Sequence, residues 1–205
     1  MAPIPINLAV EDLLSEAVLR KILRYSGRPY AIGTCFCKGG YDYLKRGILG
    51  FNNAAKATPF LVLTDLDRAE CPPVLLKKWL PYPKHPNLIF RVAVKEVEAW
   101  LLAHRDAFAK FLGIQRRLIP PNADDISDPK QLLPSLARKS KKRQLREAIV
   151  PSLGSTARIG PDYNGRLIFF IEAAWDVTAA MQNSNSLQRT VQAITNFHPQ
   201  WGEMA

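Results

Sequence analysis

Phe60-Leu61-Val62-Leu63-Thr64-Asp65-Leu66-Asp67 is a short apolar run closed by two acids. A run of this length, rich in branched and aromatic side chains, reads as a strand of a parallel sheet buried on both faces. The two acids stand where that strand surfaces. Working outward, Ile6-Asn7-Leu8-Ala9-Val10 ends in the same way at Glu11, 54 positions before Asp65. Neighbouring strands of an open parallel sheet share one rim at their carboxyl ends, so these carboxylates are expected to meet there and hold a divalent cation.

The surrounding pattern supports such a sheet. Ile4 to Val10 predicts a first strand, and Leu13 to Tyr25 carries apolar residues at 13, 14, 17, 18, 22 and 23, a helical face. Tyr30 to Phe36 predicts a second strand, Tyr41 to Lys56 a helix after the Gly39-Gly40 break, and Phe60 to Thr64 a third strand. Leu75 to Leu80 predicts a short helix bounded by prolines, and Leu88 to Val94 a fourth strand. The alternation predicts an α/β core over residues 1–96, a mostly parallel four-stranded sheet flanked by helices. Beyond it the strand signal stops. Val97 to Leu112, Pro129 to Lys139, Lys141 to Val150, Arg166 to Trp175 and Ser186 to Phe197 all read as helical, which predicts an all-helical C-terminal extension over 97–205 packed on the core. There is no internal repeat.

Composition bounds the function. At 205 residues and 47% hydrophobic content the chain has the material for a proper core. Every apolar run falls far short of the roughly 20 residues that span a bilayer, and no basic segment precedes a long apolar stretch at the N-terminus, so a cytoplasmic protein without membrane contact is expected. The net charge of +10 is spread along the chain, with 14 basic against 8 acidic residues over 1–96 and 14 against 10 over 97–205. Such a surplus favours a polyanionic partner through counterion release, and it makes gathered carboxylates stand out as metal ligands. Cys35, Cys37 and Cys71 have no zinc-like spacing with one another or with His85, His104 and His198, so they read as buried free thiols.

A strand ending in Glu, a helix, and a later hydrophobic strand ending in Asp-x-Asp resemble the TOPRIM domain of topoisomerases, primases and the nuclease domains of overcoming-lysogenisation-defect proteins. The matching pieces are Ala9-Val10-Glu11 with Ser15-Glu16 downstream, and Leu63-Thr64-Asp65-Leu66-Asp67. Val94-Lys95-Glu96-Val97-Glu98-Ala99-Trp100-Leu101-Leu102-Ala103 and Gly160-Pro161-Asp162-Tyr163-Asn164 resemble a small family of bacterial TOPRIM-like proteins linked to phage defence and to a separate ABC-type ATPase. Where TOPRIM domains usually place glycine after the glutamate, this chain has Asp12, itself a candidate ligand.

The resemblance implies a TOPRIM-like sheet and Mg²⁺- or Mn²⁺-dependent cleavage of nucleic acid phosphodiesters, DNA before RNA, in anti-phage defence beside an ATPase subunit. It implies Asp65 and Asp67 as metal ligands and Glu11 as a ligand or a general acid/base, with the ligand role favoured. Such cations prefer carboxylate oxygens, and a metal pair activates water and stabilises the leaving oxygen. Of Glu96 and Glu98, two apart at a helix start, only one faces any given direction. Glu98 is the further candidate ligand, and Glu96 is read as a group that favours the positive end of the helix dipole. The dipole reading applies equally to Glu98.

Arg138-Lys139-Ser140-Lys141-Lys142-Arg143-Gln144-Leu145-Arg146 holds six cations and no acid. It is the candidate phosphate-backbone contact, with Arg158 and Arg166 as further cations, against the alternative of a solvated helix face. Few aromatics interleave with it, so base stacking is not indicated. The four tryptophans read as packing, and Gly160 to Asn164 as a turn and helix cap. No Gly-x-x-x-x-Gly-Lys-Ser/Thr motif is present, so nucleotide hydrolysis belongs to another protein. Three other classes fit parts of the pattern: a non-catalytic subunit that binds nucleic acid or regulates an ATPase, a metal-dependent glycosyltransferase holding a nucleotide sugar on Asp65-Leu66-Asp67, and a phosphoacceptor receiver domain. The absence of room for an acceptor domain counts against the second, and the long helical part and the charge count against the third.

Overall fold

Four apolar runs become four strands. In the computed structural model, which describes residues 2–201, these are β1 (Ile4–Val10), β2 (Tyr30–Phe36), β3 (Phe60–Asp65) and β4 (Leu88–Ala93). All neighbours are parallel, in the order β2-β1-β3-β4. Parallel neighbours need a long crossover, here supplied by α1 (Leu13–Tyr25), α2 (Gly40–Ala54) and α3 (Pro72–Trp79). The chain runs from β1 outward to β2, returns past β1 to β3, and continues to β4. Its direction of travel across the sheet therefore reverses between β1 and β3.

The two central strands are apolar because helices cover both their faces. Leu8, Ala9 and Val10 of β1 and Leu61, Val62 and Leu63 of β3 are wholly buried. Leu14, Val18 and Ile22, four residues apart on α1, form one buried stripe. Another core cluster unites Leu44, Ile48 and Phe51 of α2 and Trp79 of α3 with Phe60 and Phe90. The Phe51 and Phe60 rings stack at 5.4 Å, and Trp79 meets Phe90 edge-on at 5.7 Å. Each such burial is worth about 1.5–3 kcal/mol. Two helix starts differ from expectation. Gly39 takes a left-handed φ of 85° at the start of α2, a conformation that glycine adopts without strain. Pro72 and Pro73 lie inside the first turn of α3, where a missing N–H costs no hydrogen bond, so the prolines begin this helix rather than bound it.

The chain divides into two compact units: residues up to Val94 together with those from Arg189 onward, and Lys95–Gln188. The sequence pattern assigns everything after residue 96 to one extension, whereas the last segment belongs with the first unit. Within that unit the Tyr30 hydroxyl donates to the Ile194 carbonyl at 2.6 Å, and Arg28 donates to the Thr195 carbonyl at 2.8 Å. Asn87 and Gln200 exchange two hydrogen bonds.

The second unit contains no strand. The expected single helix over Val97 to Leu112 is two, α4 (Val97–Ala103) and α5 (Arg105–Leu112), broken at His104, whose ψ of 65° is not helical. Then come 3-10 turns at Arg116–Leu118 and Ala123–Asp125, α6 (Pro129–Ala137), α7 (Arg143–Ile149), α8 (Tyr163–Ala173), α9 (Val177–Met181) and the start of α10 (Asn185–Thr195). All seven residues of α4 are buried, which makes it the core helix of this unit. Its polar groups are met individually. The Trp100 indole N–H donates to the Ser186 hydroxyl at 2.8 Å, the Trp175 indole N–H donates to the Trp100 carbonyl at 3.0 Å, and the Asn183 amide donates to the Ala103 carbonyl at 2.9 Å. Trp79, Trp100 and Trp175 are packing residues, while Trp201 is exposed. No helix among the described residues is long and apolar enough to cross a membrane.

Candidate functional site

Glu11 follows the last residue of β1, and Asp65 is the last residue of β3. The strands are adjacent, with Val10 opposite Leu63, so the two carboxylates emerge side by side at the carboxyl end of the sheet. This is also where the crossover direction reverses, the crevice at which open α/β sheets hold ligands.

Glu11 is fixed there by β3. Its Oε1 accepts a hydrogen bond from the Thr64 hydroxyl at 2.5 Å and another from the Asp65 amide at 2.9 Å. Thr64 is itself almost wholly buried, so the pair satisfies a hydroxyl that would otherwise be stranded in the core. Burial pushes the Glu11 carboxyl above its ordinary 4.5; the two donors pull it down, and the negative charges of Asp67 and Asp12 push it up again. Asp67 thus stands within electrostatic reach of Glu11.

Asp67 reaches that position through a tight turn. Leu66 is buried and its amide donates to the Ala93 carbonyl at 2.9 Å, which carries the β3–β4 pairing one residue past the strand. The Ala69 amide then closes on the Leu66 carbonyl at 2.9 Å, with exposed Asp67 inside the turn. Asp67 has φ 48°, the one positive φ at a non-glycine position among the described residues. Asp tolerates this region better than most side chains, yet it still costs free energy.

Asp12 has a different role. Its Oδ1 accepts from the Ser15 amide at 2.8 Å, so it caps the N-terminus of α1. Its φ of −151° is ordinary extended backbone, so the turn has no conformational need for glycine. That cap gives the residue a structural duty.

Glu98 belongs to the second unit and is 2% exposed. The Tyr163 hydroxyl donates to its Oε1 at 3.2 Å, and Lys130 Nζ lies 3.7 Å from the same oxygen. Glu96 Oε2 accepts the Lys130 backbone amide at 2.7 Å, in the first turn of α6. Both glutamates of Glu96-Val97-Glu98 therefore tie α4 to the start of α6. Asp162 and Tyr163 open α8, Arg166 pairs with Asp162 at 2.9 Å, and Tyr163 reaches back to Glu98.

The basic run is divided in its duties. Lys142 Nζ donates to the Lys110 and Phe111 carbonyls at 2.9 and 2.8 Å and so closes the end of α5. Arg146 donates to the Ser140 carbonyl at 2.8 Å, and Arg143 pairs with Glu147 at 2.7 Å. Arg138, Lys139 and Lys141 are exposed.

The cysteines are free and half-buried rather than buried. Burial, then the neighbouring Glu16 carboxylate, pushes the Cys35 thiol up to about 12, which leaves it protonated and inert at neutral pH.

Two residues that matter went unnoticed in the sequence. Thr64 carried a signal, as the single hydroxyl in an apolar strand. Lys130 carried none, because its partner lies 32 positions away.

The donor set at the strand ends is all carboxylate oxygen, which suits a hard divalent cation. Among the described residues no group of three or more His, Cys, Asp or Glu is gathered as a metal cage. Mg²⁺ does not require one, since it is commonly held by one or two carboxylates with water and substrate phosphate. No protein family, curated protein or solved structure matches this chain.

Proposed function

We propose that this chain is a TOPRIM-like, Mg²⁺- or Mn²⁺-dependent nuclease that cleaves nucleic acid phosphodiesters, in anti-phage defence beside an ABC-type ATPase subunit. One observation carries the reading: Glu11 and Asp65 emerge side by side at the β1–β3 switch point, Glu11 locked by Thr64 and the Asp65 amide, and Asp67 held in a left-handed turn within its field.

Asp65 and Asp67 would hold the cation, with Glu11 completing the set. When bound, the metal supplies Lewis acidity for the phosphoryl oxygen and a lowered pKa for its water. The residues do the rest. Thr64 and the Asp65 amide fix the direction in which Glu11 presents its carboxylate. The buried setting and the charges of Asp67 and Asp12 make Glu11 reluctant to ionise alone, a repulsion that a bound cation would offset.

The test is incubation of the purified chain with plasmid, linear DNA and RNA in Mg²⁺ or Mn²⁺, with and without a candidate ATPase subunit. Wild type is expected to cut, and Glu11→Gln and Asp65→Asn to lose about 100-fold or more, the scale of removing a group that acts in the transition state. Absence of cleavage on every substrate, or normal cleavage by both variants, refutes the reading. The second reading is a non-catalytic subunit that binds nucleic acid or regulates an ATPase. It predicts nucleic acid binding that survives Asp65→Asn, with no cleavage by any form.

A further inference from the structure

In the second unit a cleft of about 440 Å³ opens between α6 and the loop that joins α7 to α8. Its size lies in the range of small-ligand sites. The loop is pinned at its base: the Gly160 amide donates to the Ile149 carbonyl at 2.9 Å and the Asp162 amide to the Ala148 carbonyl at 3.0 Å. Above that base it is exposed, with Ser152 and Ser155 on the cleft and Gly154 at φ 79°.

The charges of the cleft are unbalanced. Arg138 enters from the end of α6, Arg158 from the loop, and Lys130 and Asp128 from the start of α6. Lys130 is already compensated by the buried Glu98 carboxylate. Asp128 keeps its charge while its Oδ1 accepts from the Gln131 amide at 2.8 Å as the cap of α6, so one carboxylate stands against the two arginines and the cleft retains a positive excess. Arg138 and Arg158 form no ion pair among the described residues, although they approach one concave surface from two chain segments. A positive excess on one concave wall attracts anions, because the wall concentrates its field. Guanidinium forks and serine hydroxyls lining one cleft suit a phosphate, which accepts several hydrogen bonds at once.

We propose that this cleft is a phosphate-anion site, with Arg138 and Arg158 as its ligating cations. The site deepens the nucleic acid reading, on which it rests, by assigning phosphate contact to two residues 20 positions apart, only one of them in the basic run. It takes the phosphate of a polynucleotide backbone or of a free nucleotide by the same chemistry.

The test uses the full chain in EDTA, so that binding is read without cleavage and failure of the nuclease reading leaves this result intact. Fluorescence anisotropy of a short labelled DNA duplex and of a labelled single strand measures affinity, with ATP and inorganic phosphate as competitors. Arg138→Ala and Arg158→Ala are each expected to weaken binding about tenfold or more. For the duplex, each is expected to lower the slope of log affinity against log salt by about 0.9. Arg117→Ala removes the same charge from an exposed position of the same unit and is expected to change affinity by less than about twofold. Thermal melts check that the variants fold, as exposed arginines should permit. Arginine-dependent binding of DNA supports the site with a polynucleotide source; arginine-dependent binding of ATP or inorganic phosphate alone supports it with a free-anion source. No binding of any probe, equal loss in Arg117→Ala, or full affinity in the Arg138→Ala, Arg158→Ala double variant overturns it.

Discussion

At the scale of single residues, the proposed metal role of Asp67 can be separated from its part in the turn. Its backbone sits at φ 48°, a region that Asn shares and β-branched residues avoid. Asp67→Asn is expected to fold as stably as wild type and to lose cleavage. Asp67→Val is expected to cost about 1–2 kcal/mol in chemical denaturation. Equal stability of the two variants would show that the turn relaxes. Glu11 gives a pH signature. Because burial raises its pKa above 4.5, the folded chain keeps a proton that the unfolded chain releases, so stability is lost as pH rises from 4.5 through the folded value. In a chelator, Glu11→Gln is expected to be more stable than wild type at pH 7, and the gap to close below pH about 4.5. A Gln variant less stable at neutral pH would mean that its hydrogen bonds to Thr64 and Asp65 outweigh burial. The place of both acids at the strand ends was legible because a carboxylate directly after a buried apolar run adds nothing to the core and must surface at the rim. Asp12 as a cap was not legible, because a helix cap and a metal ligand use the same side chain and only the Ser15 amide at 2.8 Å reveals the capping duty.

At the scale of elements, the loop between α7 and α8 depends on one close approach. A Cβ on Gly160 would lie 2.6 Å from the Ile149 carbonyl carbon, backbone that cannot swing aside. Gly160→Ala is expected to cost about 1–3 kcal/mol, and to speed amide exchange at Gly160 and Asp162. Unchanged exchange would mean that the loop base does not depend on this contact. The four strands and the three helices between them were readable because each buried strand must be apolar and each crossover helix must show one apolar face. The second unit was harder to read. α4 is buried all round and shows no face, so nothing in Val97 to Leu112 marks the break at His104, which depends on how α4 and α5 pack. α9 has only five residues, too few for a period to register. Pro72 and Pro73 resemble a boundary in the sequence because proline both ends helices and starts them.

At the scale of the whole chain, the first unit is discontinuous in sequence. Its strands lie before residue 95, yet buried Val191, Ile194 and Phe197 come from beyond residue 188. A fragment ending at Val94 is expected to aggregate or to melt without cooperativity. Rejoining residues 189–205 through a flexible Gly/Ser linker is expected to restore a single transition in circular dichroism. A cooperative fold from residues 1–94 alone would overturn this. That division could not be read from composition, because Ser186 to Phe197 has an ordinary amphipathic pattern and nothing local says which apolar surface it covers. The same discontinuity orders events during synthesis. The ribosome delivers all four strands first and the segment that completes their unit last, and at about 5–20 residues per second several seconds separate the two. In that interval the intervening helical unit emerges whole, while the four strand segments wait without the residues that complete their unit. A nascent chain of this protein is therefore expected to need chaperone shelter for its first half rather than its second.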